Sequence, residues 1–127
     1  MSHSNWLTMK MKREKIMYDD LDAVAVTLHT IASDKGFWDN YYVSPDEFIC
    51  TKLALIHSEV TEVLEAIRKN KSEQEVVEEF ADILIRTLDL FAGMNQLWFK
   101  EDHSIGEVMK QKTLKNLNRP TLHGNKF

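Results

Sequence analysis

The chain has 127 residues, 43% of them hydrophobic, which is the length of one domain with enough apolar surface for a core of its own. Its formal net charge of -4, with acids and bases interspersed, gives no field that would gather a nucleic-acid polymer. One cysteine excludes an internal disulfide, and no apolar run has the length of a secretory leader or a membrane span, so the expectation is one domain over 1–127, cytoplasmic, without a membrane partner.

Residues 1–17 carry no periodic stripe and read as a frayed N-terminal extension. Leu21, Val24, Ala25, Leu28, Ile31 and Ala32 then recur at helical spacing, and Gly36 follows as a stop. Ser44-Pro45-Asp46-Glu47 joins a cap serine, a proline at the first helical position and a reciprocal glutamate. It opens a second helix to about Asn70, with the stripe Leu53, Ile56, Val60, Val63, Leu64 and Ile67. Ser72-Glu73-Gln74-Glu75 repeats the capping box after a short polar turn. Val76, Phe80, Ile83, Leu84, Thr87 and Phe91 mark the expected buried face of a third helix, antiparallel to the second. Ser104-Ile105-Gly106-Glu107 starts a fourth, which Pro120 ends at about Arg119, leaving a basic tail at 120–127. With glycine and proline confined to the joints, the class is all-α: a four-helix bundle-like protomer.

Two of these helices carry acids where charge is costly. Glu59 stands at the edge of the second helix's stripe between Leu55 and Val63, and Glu62 follows one turn on, so two like charges meet beside the core. Glu79 and Asp82 repeat the spacing on the third helix, next to Val76, Phe80 and Ile83. Two antiparallel helices can thus face four carboxylates across one seam, a hard-oxygen set suited to a divalent ion such as Mg2+, with Mn2+ as a substitute. The same E-x-x-E spacing at Glu62/Glu65 and Glu75/Glu78 falls on outer faces and reads as solvated surface. A di-iron bundle would need Glu-x-x-His motifs, which the chain lacks.

The runs KLALIHSEVTEVLEAIR, EEFADILIRTLDLFAG and KQKTLKNLNRPTLHGNKF resemble the MazG-like branch of the all-α NTP pyrophosphatase superfamily, related to dimeric dUTPases, and the likeness extends from Gly36 to the C-terminus. The family's E-x-x-E, spacer, E-x-x-D signature falls on Glu59, Glu62, Glu79 and Asp82. The resemblance implies magnesium-dependent hydrolysis of nucleoside triphosphates at the α–β linkage, in a dimer or a dimer of dimers. Many members carry a doubled glutamate where this chain has Ser58-Glu59, which leaves the number of metals open. Lys112, Asn116 and Arg119 resemble the family's K-x-x-x-N-x-x-R segment, which holds phosphates and sugar or base; the alternative for these cations is complementing a helix dipole.

Trp38 in GFWD is the candidate platform for stacking a nucleobase, against the commoner fate of a core aromatic, and Phe37 is assigned to the core. Glu59, desolvated by its apolar neighbours, is the first candidate for general base and Glu62 the second. Two other functions stay open: a non-catalytic helical interaction module, and a related phosphohydrolase restricted to dUTP or a phosphoribosyl nucleotide.

Overall fold

The computed structural model describes residues 2–13 and 18–121, which hold five α-helices, one short 3-10 turn and no strand. The helices are α1 (His3–Arg13), α2 (Tyr18–Asp34), α3 (Pro45–Arg68), α4 (Glu73–Leu97) and α5 (Ile105–Leu117), with the 3-10 turn at Tyr41–Val43. The all-α class stands. The N-terminal segment expected to fray contains α1, and of the basic tail only Pro120 and Thr121 fall among the described residues.

Two compact units divide the chain. The first comprises residues 1–23 and 103–127, where α1 packs on α5. Its organising contact is a cap supplied from a distance. Ser104 Oγ accepts the Glu107 amide at 3.0 Å and donates to the Asp22 carboxylate, which also accepts the Gly106 amide at 3.3 Å. Asp22 thus brings a negative charge to the amide end of α5.

The second unit, residues 24–102, is built on the α3–α4 hairpin. Ser72 and Glu75 make the full reciprocal capping box at the start of α4: the Glu75 amide donates to Ser72 Oγ at 3.2 Å and the Ser72 amide donates to Glu75 Oε2 at 2.9 Å. The Ser72 amide, and then the Ser72 hydroxyl at 3.1 Å, donate to the Glu75 carboxylate, favour its ionised form and hold it below its ordinary range. At the start of α3 only part of the signal operates, because Pro45 sits at the first turn while Ser44 makes no side-chain cap bond. Glu59 reaches Arg86, and Asp46 accepts the Trp98 indole N–H at 3.1 Å, so positions ascend on α3 as they descend on α4. That is the register of an antiparallel pair.

The core of this unit collects at the open end of the hairpin, where Trp38, Tyr41, Ile49 and Leu90 are buried with Phe48, Ile56, Met94 and Leu97 against them. Along the hairpin the packed face differs from the expected one. Ile56, Val63 and Ala66 turn inward on α3, and Val76, Ile83 and Leu90 on α4. Leu53, Val60, Leu64 and Ile67, with Val77, Phe80 and Leu84, are exposed. At about 100° per residue, each exposed stripe lies roughly a quarter turn round from the packed face. Part of each expected stripe, Ile56 and Val63 on α3 and Val76 and Ile83 on α4, is packed within the chain, while Leu53, Val60, Leu64, Ile67, Phe80 and Leu84 face out of it.

Gly93 is required by close approach, since a Cβ there would run into the Trp38 ring edge and come within 2.8 Å of His29 Cε1. Alanine for glycine inside a helix normally stabilises by about 1 kcal/mol. Gly93→Ala should instead lose about 1–3 kcal/mol in urea unfolding, the cost of overpacking a filled site. A neutral or stabilising result would show that Trp38 does not pack against this turn of α4.

Candidate active site

The inward rotation of both helices carries the acids with it. Glu59 shares its side of α3 with Ile56 and Val63, and Glu79 shares its side of α4 with Val76 and Ile83, so both stand half-buried beside the packed seam. Carboxylate oxygens of Glu59, Glu79 and Asp82 all come within 4.8 Å of one another. Glu62 is exposed and outside this trio, yet close enough to act on Glu79. Desolvation first, then the charges of Asp82, Glu62 and Glu59, push the Glu79 carboxyl above its ordinary range. An all-oxygen donor set under mutual repulsion fits a hard divalent cation, which supplies what the acids lack. Glu65, by contrast, pairs with Arg68 and Lys69 at 3.3 and 3.9 Å, the surface role expected for it.

A cavity of about 330 Å³ opens beside Glu59 and Asp82. Leu28, Ile31, Ala32 and Ile85 form its apolar wall, Phe37 adds an aromatic ring, and Lys35, Lys52, Arg86 and Asp89 bring charge. Arg86 donates from Nε to Glu59 Oε1 at 2.7 Å, with the two side chains 42% and 17% exposed. The Lys52 ammonium stands 5.0 Å from the centre of the Phe48 ring and 5.7 Å from that of Phe37. Burial lowers its proton affinity, Asp89 opposes that and Arg86 adds to it. Asp82 and Asp89 are two turns apart on α4, about 10 Å along the axis, so the acid cluster and Asp89 occupy successive levels of one helix.

The aromatic pair of GFWD is placed opposite to expectation. Trp38 is 6% exposed in the core, edge-on to His29, while Phe37 is 62% exposed and lines the cavity. Trp38 borders a different hollow, with Tyr42 and Gln96. The reason is a polar anchor: its indole N–H donates to Asp89 Oδ1 at 2.9 Å, and His29 Nδ1 lies 3.0 Å from the same oxygen. A carboxylate only accepts, so that ring nitrogen carries the hydrogen. Asp89 is thus held by Trp38 and His29, and Arg86 pairs with Glu59 and not with Asp89. Lys112 and Asn116 are exposed on α5, and Arg119 follows its C-terminus in the other unit.

Lys35, Lys52, Arg86 and Phe37 were not singled out as site residues by the sequence. A signal existed for two of them. Lys52 precedes Glu59 by seven residues and Arg86 follows Asp82 by four, the spacings that put side chains on one helical face.

Residues 50–122, more than half of the chain, match the family model described as the MazG nucleotide pyrophosphohydrolase domain. The matched span includes the four acids and Lys112, Asn116 and Arg119, and begins after Phe37 and Trp38. No curated protein and no solved structure matches the chain significantly.

The raised Glu79 carboxyl has a signed consequence for stability. The folded state holds this proton more tightly than the unfolded chain, so its contribution is full below the ordinary glutamate range and is lost as pH climbs through the raised value. In the presence of a chelator at neutral pH, Glu79→Gln should raise Tm, and the advantage should disappear below the ordinary glutamate range. A lower Tm at neutral pH would mean that Glu79 is stabilised by its surroundings and not strained by them.

Proposed function

The chain belongs to the MazG nucleotide pyrophosphohydrolase family, and on that premise we propose that it hydrolyses nucleoside triphosphates between the α- and β-phosphorus, yielding a monophosphate and pyrophosphate. The observation that carries this reading is the convergence of Glu59, Glu79 and Asp82 beside a cavity that also holds Lys35, Lys52 and Arg86. Acids to hold a cation and cations to hold phosphate oxygens stand side by side, which is what a polyanionic substrate carried with a metal requires.

Glu59, Glu79 and Asp82 would hold Mg2+, with Mn2+ as a substitute. Bound there, the ion supplies positive charge that stabilises the developing charge on phosphate oxygens and acidifies water. Lys52 and Arg86 bind phosphate oxygens in the cavity, and Lys112, Asn116 and Arg119 contribute further substrate contacts, as the family resemblance implies. Glu62 is the better candidate for general base. Glu59 Oε1 is already occupied by the Arg86 guanidinium and Glu59 belongs to the convergent trio, whereas Glu62 lies one turn away and outside it. Glu62 takes a proton from water as the water oxygen bonds to the α-phosphorus; the bond from that phosphorus to the bridging oxygen breaks, and pyrophosphate leaves with the electron pair. Phe37, exposed at the cavity wall, takes over from Trp38 the role of a surface for the base.

The protein works as a homo-oligomer. Leu53, Val60, Leu64 and Ile67 form one continuous stripe on α3 and Val77, Phe80 and Leu84 another on α4, a contiguous apolar area of the kind that marks association. A second copy, as the resemblance implies, covers it.

Incubation with a deoxynucleoside triphosphate and Mg2+ should give monophosphate and pyrophosphate in equal amounts, with chelator abolishing turnover. Glu59→Gln, Glu79→Gln and Asp82→Asn should each lower kcat/KM by ~10²-fold or more, and Glu62→Gln should lower kcat by a similar factor, all with helical content retained. Orthophosphate with a diphosphate product would refute the bond assignment. Turnover of dUTP or a phosphoribosyl nucleotide alone would narrow the substrate class, and inactivity across a broad nucleotide panel would favour an interaction module.

Sedimentation should show a dimer or larger, and the double variant Leu64→Glu/Leu84→Glu should sediment as a folded monomer. A monomeric wild type at micromolar concentration would count against assembly through this face.

A further inference from the structure

Arg86 presents a conflict that the proposed reaction has to resolve. Its guanidinium donates at 2.7 Å to Glu59, one of the three acids whose oxygens converge, and Glu59 is the more buried partner at 17% exposure. A carboxylate engaged by a guanidinium at that distance offers a cation a weaker ligand, because both positive groups draw on the same oxygen lone pairs. Yet the same Arg86 lines the cavity together with Lys52 and Lys35, facing the space assigned to the phosphates. One side chain therefore lies between the acid end of the site and its basic end, and its 42% exposure leaves room to move.

We propose that Arg86 is an exchangeable counter-ion. It neutralises Glu59 while the cluster holds no divalent cation, gives Glu59 up when one binds, and then grips the phosphates of the arriving nucleotide.

Three observations favour exchange over a fixed ion pair. The pair crosses from α4 to α3 within the site itself, so it is not one of the same-helix surface pairs, such as Glu65 with Arg68 and Lys69, that serve only local helix stability. Arg86 Nε–H accounts for one donor of a fork that carries five, which leaves the rest of the guanidinium available to an anion in the cavity. Of the two other acids on the cavity wall, Asp82 belongs to the trio that the cation would occupy, and Asp89 has one oxygen already occupied by Trp38 and His29 and so competes poorly for a freed guanidinium. The device protects the fold from acid–acid repulsion in the absence of metal and delivers a positive charge to phosphate only when metal is in place. The inference rests on the metal-dependent reading above.

The test uses the full chain. Calorimetric titration of Mg2+ without nucleotide should show Arg86→Gln binding the ion about threefold to fivefold more tightly than wild type, the effect of removing a partly exposed competing pair. Its KM for the preferred triphosphate at saturating Mg2+ should rise about tenfold or more through the lost charge-assisted bonds. Arg86→Lys keeps the charge and loses the fork, so it should hold metal affinity near wild type while still raising KM. In wild type, the Arg86 Nε–H resonance, identified by its absence from Arg86→Gln, should be protected from solvent exchange in chelator and exposed by Mg2+. A triphosphate analogue that resists hydrolysis should protect it again. Unchanged metal affinity in Arg86→Gln, an Nε–H signal indifferent to Mg2+, or tighter metal binding with unchanged KM would each overturn the exchange while leaving the hydrolase reading intact. A wild type that neither binds Mg2+ nor turns over any nucleotide would overturn both.

Discussion

Like charge gathered along a packed helical seam is the constraint around which the second unit is organised. Glu59, Glu79 and Asp82 bring oxygens within 4.8 Å of one another on helices whose neighbouring positions are Ile56, Val63, Val76 and Ile83. Glu59 and Glu79 are half-buried and share their faces with packed residues, so they cannot turn fully to water without unpacking the hairpin, while Asp82 joins them from the exposed rim. The charge has to be compensated in place. Arg86 does this for Glu59, while at Glu79 desolvation first, and then the neighbouring acid charges, push the carboxyl above its ordinary range.

Such an arrangement is a poor way to build a stable hairpin and a sensible way to build a site for a divalent cation. The cost is tolerable because it is local: the capping box at Ser72 and Glu75 and the aromatic core at the open end of the hairpin lie at opposite ends of α4, with the acid cluster between them. Next to the acids the cavity changes sign, with Lys35, Lys52 and Arg86 on its wall. Acids and bases this close would collapse into mutual pairs if all could reach one another. Asp89 is kept out of that pairing by Trp38 and His29, and Lys52 is held among the rings of Phe37 and Phe48. Family membership makes a nucleotide the natural occupant of such a space.

The apolar stripes tell a related story. A helix hydrophobic around more than half of its circumference has to bury two faces. On α3 and α4 the inner face is spent on the seam that carries the acids, and the outer one, with Leu64 and Leu84 at its middle, remains exposed within one chain. Assembly with a second copy is the reading proposed for it. The rotation also explains why Glu59 is more deeply set than an acid at the edge of the apolar stripe would be.

Helix positions, the cap at Ser72, the start of α5 at Ser104 and the pairing of the E-x-x-E and E-x-x-D segments were legible in the sequence, because each depends on contacts within a few residues. Periodicity also put Glu59 and Glu79 near packed surfaces. It could not say which of two apolar faces turns inward, since a stripe has the same spacing whether it meets its own chain or another. Nor could it order Phe37 and Trp38: adjacent aromatics at a turn are alike to composition, and only the Asp89 carboxylate, fifty-one residues after Trp38, draws the indole N–H inward. By spacing Arg86 reads as a partner for Asp89 on its own helix; its bond to Glu59, twenty-seven residues earlier, exists only because the hairpin closes. Local spacing decides which residues share a face, and long-range packing decides what that face meets.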